Sequence, residues 1–192
     1  MLRGLIALLS IALVFASSAA ASEKPKEEGL KIGDPAPKFT LKDADDKEHG
    51  LEALLGKDKE HRKVIILMMG DRKVRKEANK WAIELDRIYG KNKEVALLMV
   101  ADLRGLPFFV TEGMVKWGTK RENLPVPIVL DWDGKVNKLY NTKQSKPNVF
   151  IIDKDGKVSY QRVGKYSDKL TKEIQAKVQD DLKALTLQKT QK

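Results

Sequence analysis

A charged segment, Asp71-Arg72-Lys73, stands between an apolar run at residues 64–69 and the helical pattern that follows it. Asp71 is a favourable N-cap residue, and the free N–H groups at a helix start carry about half a positive charge. One interpretation is a groove in which Arg72 and Lys73 meet an anionic or peptide partner. The more economical interpretation is that Asp71 only caps the helix, which needs no partner.

Two predicted strand ends carry the pattern Asp-x-Asp-Gly, at residues 131–134 and 153–156. This pattern begins a calcium loop, whose last ligand is a glutamate at the end of the loop. Neither segment continues to that glutamate. Aspartate and glycine are also favoured in tight turns, so we interpret both segments as turns after a strand.

Methionines and histidines are the candidate ligands for a soft metal such as copper. The candidates are Met68, Met69, Met99, Met114, His49 and His61. The first three lie in apolar runs, where a thioether more often packs in the core. The two histidines lack the supporting pattern of a metal site or of a Ser-His-Asp site. We therefore predict no metal and no cofactor.

Each of the three tryptophans is either a core residue or an exposed anchor for a partner. Trp81 lies on the same helical face as Ala78 and Leu85, which predicts a core position. Burial is also the better prediction for Trp117 and Trp132, since tryptophan is highly buried on average.

Alternating apolar runs and helical patterns position these candidates. Residues 64–69 and 95–100 are continuous apolar runs, typical of strands covered on both faces. A helical pattern lies between them and ends at Gly90. Strand–helix–strand crossovers predict a parallel portion of a sheet, and a closing hairpin around Asp155-Gly156 adds antiparallel strands. The predicted fold is α/β, a central mixed sheet with helices on both faces.

The shorter elements are predicted from turn residues and brief apolar runs. They are a strand at 39–41, a helix at 51–55 closed by Gly56, a helix around 108–116, a strand within 126–130, half a helix at 137–142, hairpin strands Asn148–Ile152 and Val158–Val163, and a last helix capped by Ser167.

The beginning of the chain has the pattern of a secretory signal peptide: Arg3, an apolar run and small residues before Ala21. An uncleaved anchor helix is the alternative. We predict a signal peptide at 1–21, a polar linker at 22–29, one domain at 30–185 and a polar tail at 186–192. The expected location is periplasmic or secreted, with no membrane span after signal removal.

The net charge of +10 suggests affinity for anionic surfaces. The lysines are interspersed with acidic residues, however, and no basic patch interleaved with aromatic residues is present, so no nucleic-acid partner is predicted. The chain has no cysteine, so it cannot form disulfides even if it is exported.

Three segments, IGDPAPKFTLKD, VIILMMGDRKVRKE and KPNVFIIDKDGKV, resemble the thioredoxin-like superfamily, in particular the redoxins of the alkyl hydroperoxide reductase and thiol-specific antioxidant type. The cysteine-free periplasmic YtfJ-type family looks most similar among them. The resemblance implies a three-layer sandwich. It also implies that Asp71 and Val74 stand where redox cysteines would be, and that Pro147 corresponds to a cis-proline facing that turn.

The absence of cysteine bears directly on function, because a thiolate is the nucleophile of thiol exchange and peroxide reduction. We therefore predict that the chain is not an enzyme and binds a protein or peptide at the groove left by the redox site. The predicted binding residues are Asp71, Arg72, Lys73, Val74 and Pro147. The alternative is a thiol or peroxide oxidoreductase that acts through unrecognised chemistry.

Overall fold

The computed structural model describes residues 29–58 and 61–190, so the predicted signal peptide and most of the predicted linker lie outside the described residues. The strands are β1 Thr40–Lys42, β2 Glu48–Gly50, β3 Val64–Asp71, β4 Val95–Asp102, β5 Ile128–Asp131, β6 Asn148–Ile152 and β7 Val158–Val163. The helices are α1 Leu51–Leu55, α2 Arg75–Tyr89, α3 Glu112–Glu122, α4 Lys135–Leu139 and α5 Asp168–Thr190. A short 3-10 turn, Arg72–Val74, joins β3 to α2.

A five-stranded mixed sheet in the order β5-β4-β3-β6-β7 forms the centre of the domain. Strands β3, β4 and β5 run parallel, whereas β6 is antiparallel to β3 and β7 is antiparallel to β6. Strands β1 and β2 pair separately as a small hairpin. The predicted mixed sheet is therefore confirmed, with its parallel portion first and its hairpin last.

Strand β3 is the middle of the sheet and is buried on both faces, as its unbroken apolar sequence indicates. Ile65 and Leu67 face a core cluster that contains residues of α1 and α4. Ile66 and Met68 face a second cluster that contains residues of α2 and α5. Burial of each such side chain contributes roughly 1.5–3 kcal/mol. These two clusters confirm the predicted layer of helices on each face.

The two tryptophans outside α2 differ from the prediction. Trp81 is buried in the core, as predicted. Its ring packs edge-on against the Tyr166 ring, with 5.3 Å between the two ring centroids. Trp117 and Trp132 are 62% and 40% exposed, so the predicted burial is wrong for both. Trp117 lies on α3, a helix with no buried residue, and Trp132 lies in the turn after β5. Neither element offers the ring a place in either core cluster.

Helix α3 begins later than predicted. Thr111 is its N-cap, and the Thr111 hydroxyl oxygen accepts a hydrogen bond from the Met114 N–H at 3.3 Å. The predicted start at 108 is wrong because Phe108 lies in the preceding loop, with its side chain fully exposed. The apolar residues of this loop resemble a buried helical face in sequence.

The last helix, α5, is capped as predicted: the Ser167 hydroxyl accepts a hydrogen bond from the Leu170 N–H at 3.3 Å. Its buried residues Ile174 and Val178 pack on the sheet. The helix continues through Thr190, into the segment predicted as a polar tail. Within the described part of the chain, none of the helices combines the length and apolar composition needed to cross a bilayer.

Candidate functional site

Asp71 is the last residue of β3, where the chain turns toward α2. Its Oδ1 atom accepts a hydrogen bond from the Lys73 N–H at 2.9 Å, which caps the 3-10 turn. Asp71 is therefore a cap, as predicted, but of this turn and not of α2, whose N-cap is Val74. The turn delays the start of α2 to Arg75, and Val74 is the residue before it.

The second oxygen of Asp71 reaches a different part of the chain. Asp71 Oδ2 accepts a hydrogen bond from the Ser145 backbone N–H at 2.8 Å and a longer one from the Ser145 hydroxyl at 3.4 Å. Ser145 has a left-handed backbone, with φ of 56°. One carboxylate thus ties the turn after β3 to the loop that precedes Pro147.

The buried side chain of Asn148 makes hydrogen bonds to the backbone of that loop, residues 143–147. The Asn148 oxygen accepts a hydrogen bond from the Lys143 N–H at 2.8 Å, and its amide donates to the carbonyls of Lys143 at 3.0 Å and Lys146 at 2.7 Å. The Gly164 N–H donates to the Pro147 carbonyl at 2.9 Å. The loop is therefore preformed, with hydrogen bonds from three separate segments.

The predicted cis bond before Pro147 is wrong. No peptide bond in residues 29–58 or 61–190 is cis, so the bond between Lys146 and Pro147 is trans. Trans is the favoured isomer of a bond before proline. Here the hydrogen bonds of Asn148 and Asp71 set the course of the loop with that bond trans.

An open groove of about 780 Å³ lies between the turn and the loop, which we call the turn–loop groove. Val74 and Glu77 line one wall, the 143–147 loop lines the other, and Val163–Lys165 closes one end. Val74 and Pro147, both predicted site residues, thus meet across this groove. Its lysines and single glutamate give it an excess of positive charge.

Arg72 and Lys73 line a different, smaller pocket. This polar pocket of about 290 Å³ also includes Arg104 and Ser145. Asp71 lines the same pocket, since its link to Ser145 is one of the walls. The five predicted residues are therefore neighbours, but they are divided between the turn–loop groove and this polar pocket.

Three aspartates stand side by side at the carboxyl ends of the parallel strands. Asp71 of β3 is in register with Asp102 of β4, which is in register with Asp131 of β5. This edge is where ligands usually bind in open α/β sheets. Each carboxylate, however, accepts hydrogen bonds from nearby residues of the chain.

Arg104 neutralises the middle aspartate. Its guanidinium donates to the buried Asp102 carboxylate through Nε at 2.9 Å and through Nη2 at 2.6 Å. This hydrogen bonding raises the pKa of Arg104, with further attraction from Asp131 and Asp71. The fully buried Asp131 accepts hydrogen bonds from the backbone and side chain of Asn137, both at 2.8 Å. These contacts make the aspartate row a structural edge of the sheet.

Sequence reasoning missed the residues that shape this edge. Ser145, Asn148 and Arg104 belong to no recognisable motif, because each acts through a partner that only the fold brings close. The aspartate row did leave a signal: Asp71, Asp102 and Asp131 each follow an apolar strand. Parallel strands place such residues at one edge.

The two Asp-x-Asp-Gly segments are turns, as interpreted from the sequence. Gly134 and Gly156 have φ of 68° and 81°, the left-handed region that favours glycine. Asp153 Oδ1 accepts hydrogen bonds from the N–H groups of Asp155 and Lys157. In the residues that the structure describes, no three His, Asp or Glu side chains are grouped closely enough to hold a metal ion.

A comparison with family models decides where this fold belongs. Residues 32–161 match the model described as the AhpC/TSA family. The chain belongs to the AhpC/TSA family. The redoxin resemblance of the sequence is thereby confirmed, whereas a specific relation to the YtfJ-type family stays a prediction.

Several thiol-disulfide proteins are similar to this AhpC/TSA chain. The thiol-disulfide oxidoreductase ResA of Bacillus thuringiensis is 29% identical over 153 residues, which cover 80% of this chain and 82% of ResA. A candidate DsbE thiol:disulfide interchange protein of Chlorobium tepidum has a TM-score of 0.57, with 24% identity over 78% of this chain and 99% of that one. The C-terminal domain of a candidate thiol-disulfide oxidoreductase of Bacteroides thetaiotaomicron has a TM-score of 0.60, with 22% identity over 78% of this chain and 97% of that one. The two structures establish the thioredoxin-like fold.

Proposed function

We propose that this AhpC/TSA protein binds an extended acidic segment of a protein or peptide in the turn–loop groove, and that it transfers no electrons. The observation that carries this proposal is the link between Asp71 and Ser145. Both oxygens of Asp71 are engaged in holding the turn and the loop in place. The site thus has the organisation of a recognition surface.

The chemistry of the turn supports a binding function. Thiol exchange and peroxide reduction both begin with attack by a thiolate, which no residue of this chain can supply. Asp71 and Val74, at the positions matched to the redox cysteines, have a carboxylate and an isopropyl group. Neither group forms a mixed disulfide. The alternative, an oxidoreductase with unrecognised chemistry, is supported by the names of the relatives alone.

The charges of the groove support an acidic ligand. Lys143, Lys146 and Lys165 line it, and none of the three forms an ion pair with another described residue. Glu77 is the acidic residue of the lining and is paired with Lys80 at 2.9 Å. An extended segment with several carboxylates would therefore gain from the groove, more at low salt than at high salt.

The proposed location is outside the cytoplasm. The supporting observation is the signal-peptide pattern of the first 21 residues. Cell fractionation and N-terminal sequencing test it: the purified protein is expected in the exported fraction, with Ser22 as its first residue. Recovery in the cytoplasm with Met1 intact would contradict export.

Site-specific cross-linking tests the groove directly. A photoreactive amino acid at Lys146, in the groove, is expected to form a defined adduct in cells, and the same group at the exposed Lys183 of α5 is the control. The adduct should be lost in a variant that combines Lys143→Ala and Lys165→Ala. It should also weaken in Arg72→Ala/Lys73→Ala, because these cations line the polar pocket that shares Ser145 with the groove. Equal adducts at both positions, unchanged by either variant, would refute the proposal.

A further inference from the structure

We propose a second binding site, the α2–α3 cleft, which receives a bulky aromatic side chain from an acidic segment of a partner protein. The cleft lies between helices α2 and α3, over the ends of β4 and β5. Its lining includes Ala78, Met99, Val110, Val115 and Gly118. None of residues 143–147 lines it, so the inference does not rest on the function proposed for the turn–loop groove.

The size and chemistry of the cleft fit one aromatic ring. Its volume is about 260 Å³, and most of the surface that lines it is apolar. An apolar cavity of roughly 150 Å³ holds benzene, so this space holds the ring of a phenylalanine or tryptophan. Gly118 contributes to the space directly, because a Cβ atom built there would meet no other atom within 4 Å.

Exposed aromatic and methionine side chains extend the apolar surface beyond the cleft. Phe108 is fully exposed, and Phe109, Met114 and Trp117 are 63%, 54% and 62% exposed. All of them lie on α3 or on the loop before it, and α3 has no buried residue of its own. Aromatic residues and methionine are enriched at the centres of protein interfaces. A surface of this extent indicates a protein partner rather than a small molecule.

The carboxylates of the lining, Asp71, Asp102 and Glu122, are each engaged by other residues of the chain, so the unpaired charges indicate the sign of that partner. Arg72 lines the cleft, and the Arg121 guanidinium stacks on the Trp117 ring at 4.6 Å. Neither arginine forms an ion pair with another residue in the described part of the chain. Acidic residues on either side of the aromatic anchor would pair with these two cations.

Both lysines of α3 lie outside the cleft lining and are already neutralised. Lys116 pairs with Asp46 and Glu112, and Lys120 pairs with Asp45. Apart from Arg72 and Arg121, little positive charge at the cleft and on α3 is therefore left for anionic lipid headgroups. A flat bilayer also cannot fill a concave cleft. These two observations favour a protein segment over a membrane surface.

One carboxylate holds the cleft in shape before a ligand arrives. Glu122 of α3 accepts a hydrogen bond from the Asn79 side chain of α2 at 2.6 Å and pairs with Arg75 at 3.1 Å. The two helices are thus clamped at a fixed separation. A preformed cleft lowers the ordering cost of binding.

Labelled peptides test the proposal through fluorescence anisotropy. The main probe is a pentapeptide with tryptophan between two pairs of glutamates, and its two controls replace the tryptophan with alanine or the glutamates with lysines. We expect the main probe to bind about tenfold more tightly than either control. Salt should weaken it.

Two matched variants place the binding in the cleft. Gly118→Leu fills the cleft, whereas Gly113→Leu changes the same helix outside the cleft lining. We expect Gly118→Leu to weaken the main probe at least about tenfold and Gly113→Leu to leave it unchanged. Circular dichroism and thermal unfolding verify that both variants fold, and Gly118→Ala replaces Gly118→Leu if that variant does not.

Several results would overturn the inference. One is the absence of saturable binding below about 1 mM peptide. Another is equal affinity for the tryptophan and alanine peptides, or equal effects of the two glycine variants. A different outcome is binding to vesicles of phosphatidylglycerol that Gly118→Leu leaves unchanged, without peptide binding. It would assign the exposed side chains of Phe108, Phe109, Met114 and Trp117 to a membrane instead. Absence of a defined adduct from Lys146 in the otherwise unchanged protein would refute the turn–loop groove and leave these results unaffected.

Discussion

The Asp71 carboxylate accepts a hydrogen bond from the Ser145 backbone N–H at 2.8 Å, and this contact joins two segments that are 74 residues apart in the chain. Its other oxygen caps the turn that leads into α2. The residue that the redoxin resemblance places at a redox-cysteine position therefore has a structural role.

Replacing Asp71 is expected to destabilise the fold by loosening both the turn and the loop. Asp71→Ala removes the cap and the link to Ser145, with an expected loss of about 2 kcal/mol in the free energy of unfolding. Ser145→Ala keeps the backbone N–H donor, so its effect should stay within about 0.5 kcal/mol. Urea denaturation measures both. If both variants lost the same free energy of unfolding, the hydrogen bond from the Ser145 backbone N–H would not be the contact that stabilises the fold.

Glu122 is expected to hold α2 against α3. Glu122→Ala removes the contacts with Asn79 and Arg75, for an expected loss of about 1–2 kcal/mol. Glu112→Ala, in the same helix, removes a pair in which the carboxylate is 62% exposed, and should cost less than about 0.5 kcal/mol. The same denaturation experiment compares them. If both variants lose the same amount, Glu122 is not a clamp.

Alanine at two glycines is expected to have opposite effects. At Gly70 an added Cβ would lie 2.9 Å from the Val74 side chain, and overpacking of this kind costs about 1–3 kcal/mol. At Gly118, inside α3, the space is open, and Gly118→Ala should raise stability by about 0.5–1 kcal/mol. Thermal unfolding of the two variants tests whether Gly70→Ala lowers stability and Gly118→Ala raises it. Stabilisation by Gly70→Ala would contradict the close approach of β3 to Val74.

Asp153 is expected to make stability depend on pH. Burial raises the pKa of Asp153, with additional repulsion from Asp155 and Asp181. A pKa that is higher in the folded state means that the protonated form favours folding, and this contribution is lost as the pH rises through the folded value. Asp153→Asn keeps an oxygen that accepts the turn hydrogen bonds and avoids the buried charge.

Asp153→Asn should therefore raise the free energy of unfolding at pH 7. The gain should shrink as the pH falls through the raised pKa of the folded state and should vanish below the ordinary pKa range of an aspartate. Asp155→Asn, an exposed position in the same turn, should change stability by less than about 0.5 kcal/mol at either pH. Urea denaturation across pH measures the difference. A gain that is constant with pH would argue against the buried charge.

The elements with strong local signals were predictable from sequence. The unbroken apolar run of β3 has no polar residue before its end, so a strand buried on both faces follows from it. Asp71 and Ser167 were recognised as caps because capping depends on the residue type and on its immediate neighbours. The turns at Gly134 and Gly156 follow from the conformational freedom of glycine.

The features that depend on distant partners were not predictable in this way. The course of the loop before Pro147 depends on hydrogen bonds with Asn148 and Asp71. The exposure of Trp117 depends on where α3 lies, which no local pattern specifies. The pairing of Arg104 with Asp102 required the sheet edge to be known. Contacts between residues distant in the chain thus determine the candidate site, while local propensity determines the strands, caps and turns around it.

The most direct test of the central claim is a redox assay of the purified protein. The function proposed for this AhpC/TSA protein is binding, because the chain has no thiol with which to pass electrons. Insulin reduction with dithiothreitol and peroxide consumption with a dithiol are measured before and after a second purification. The expected result is a rate equal to the buffer blank in both assays. Repeated turnover that survives repurification would contradict the claim.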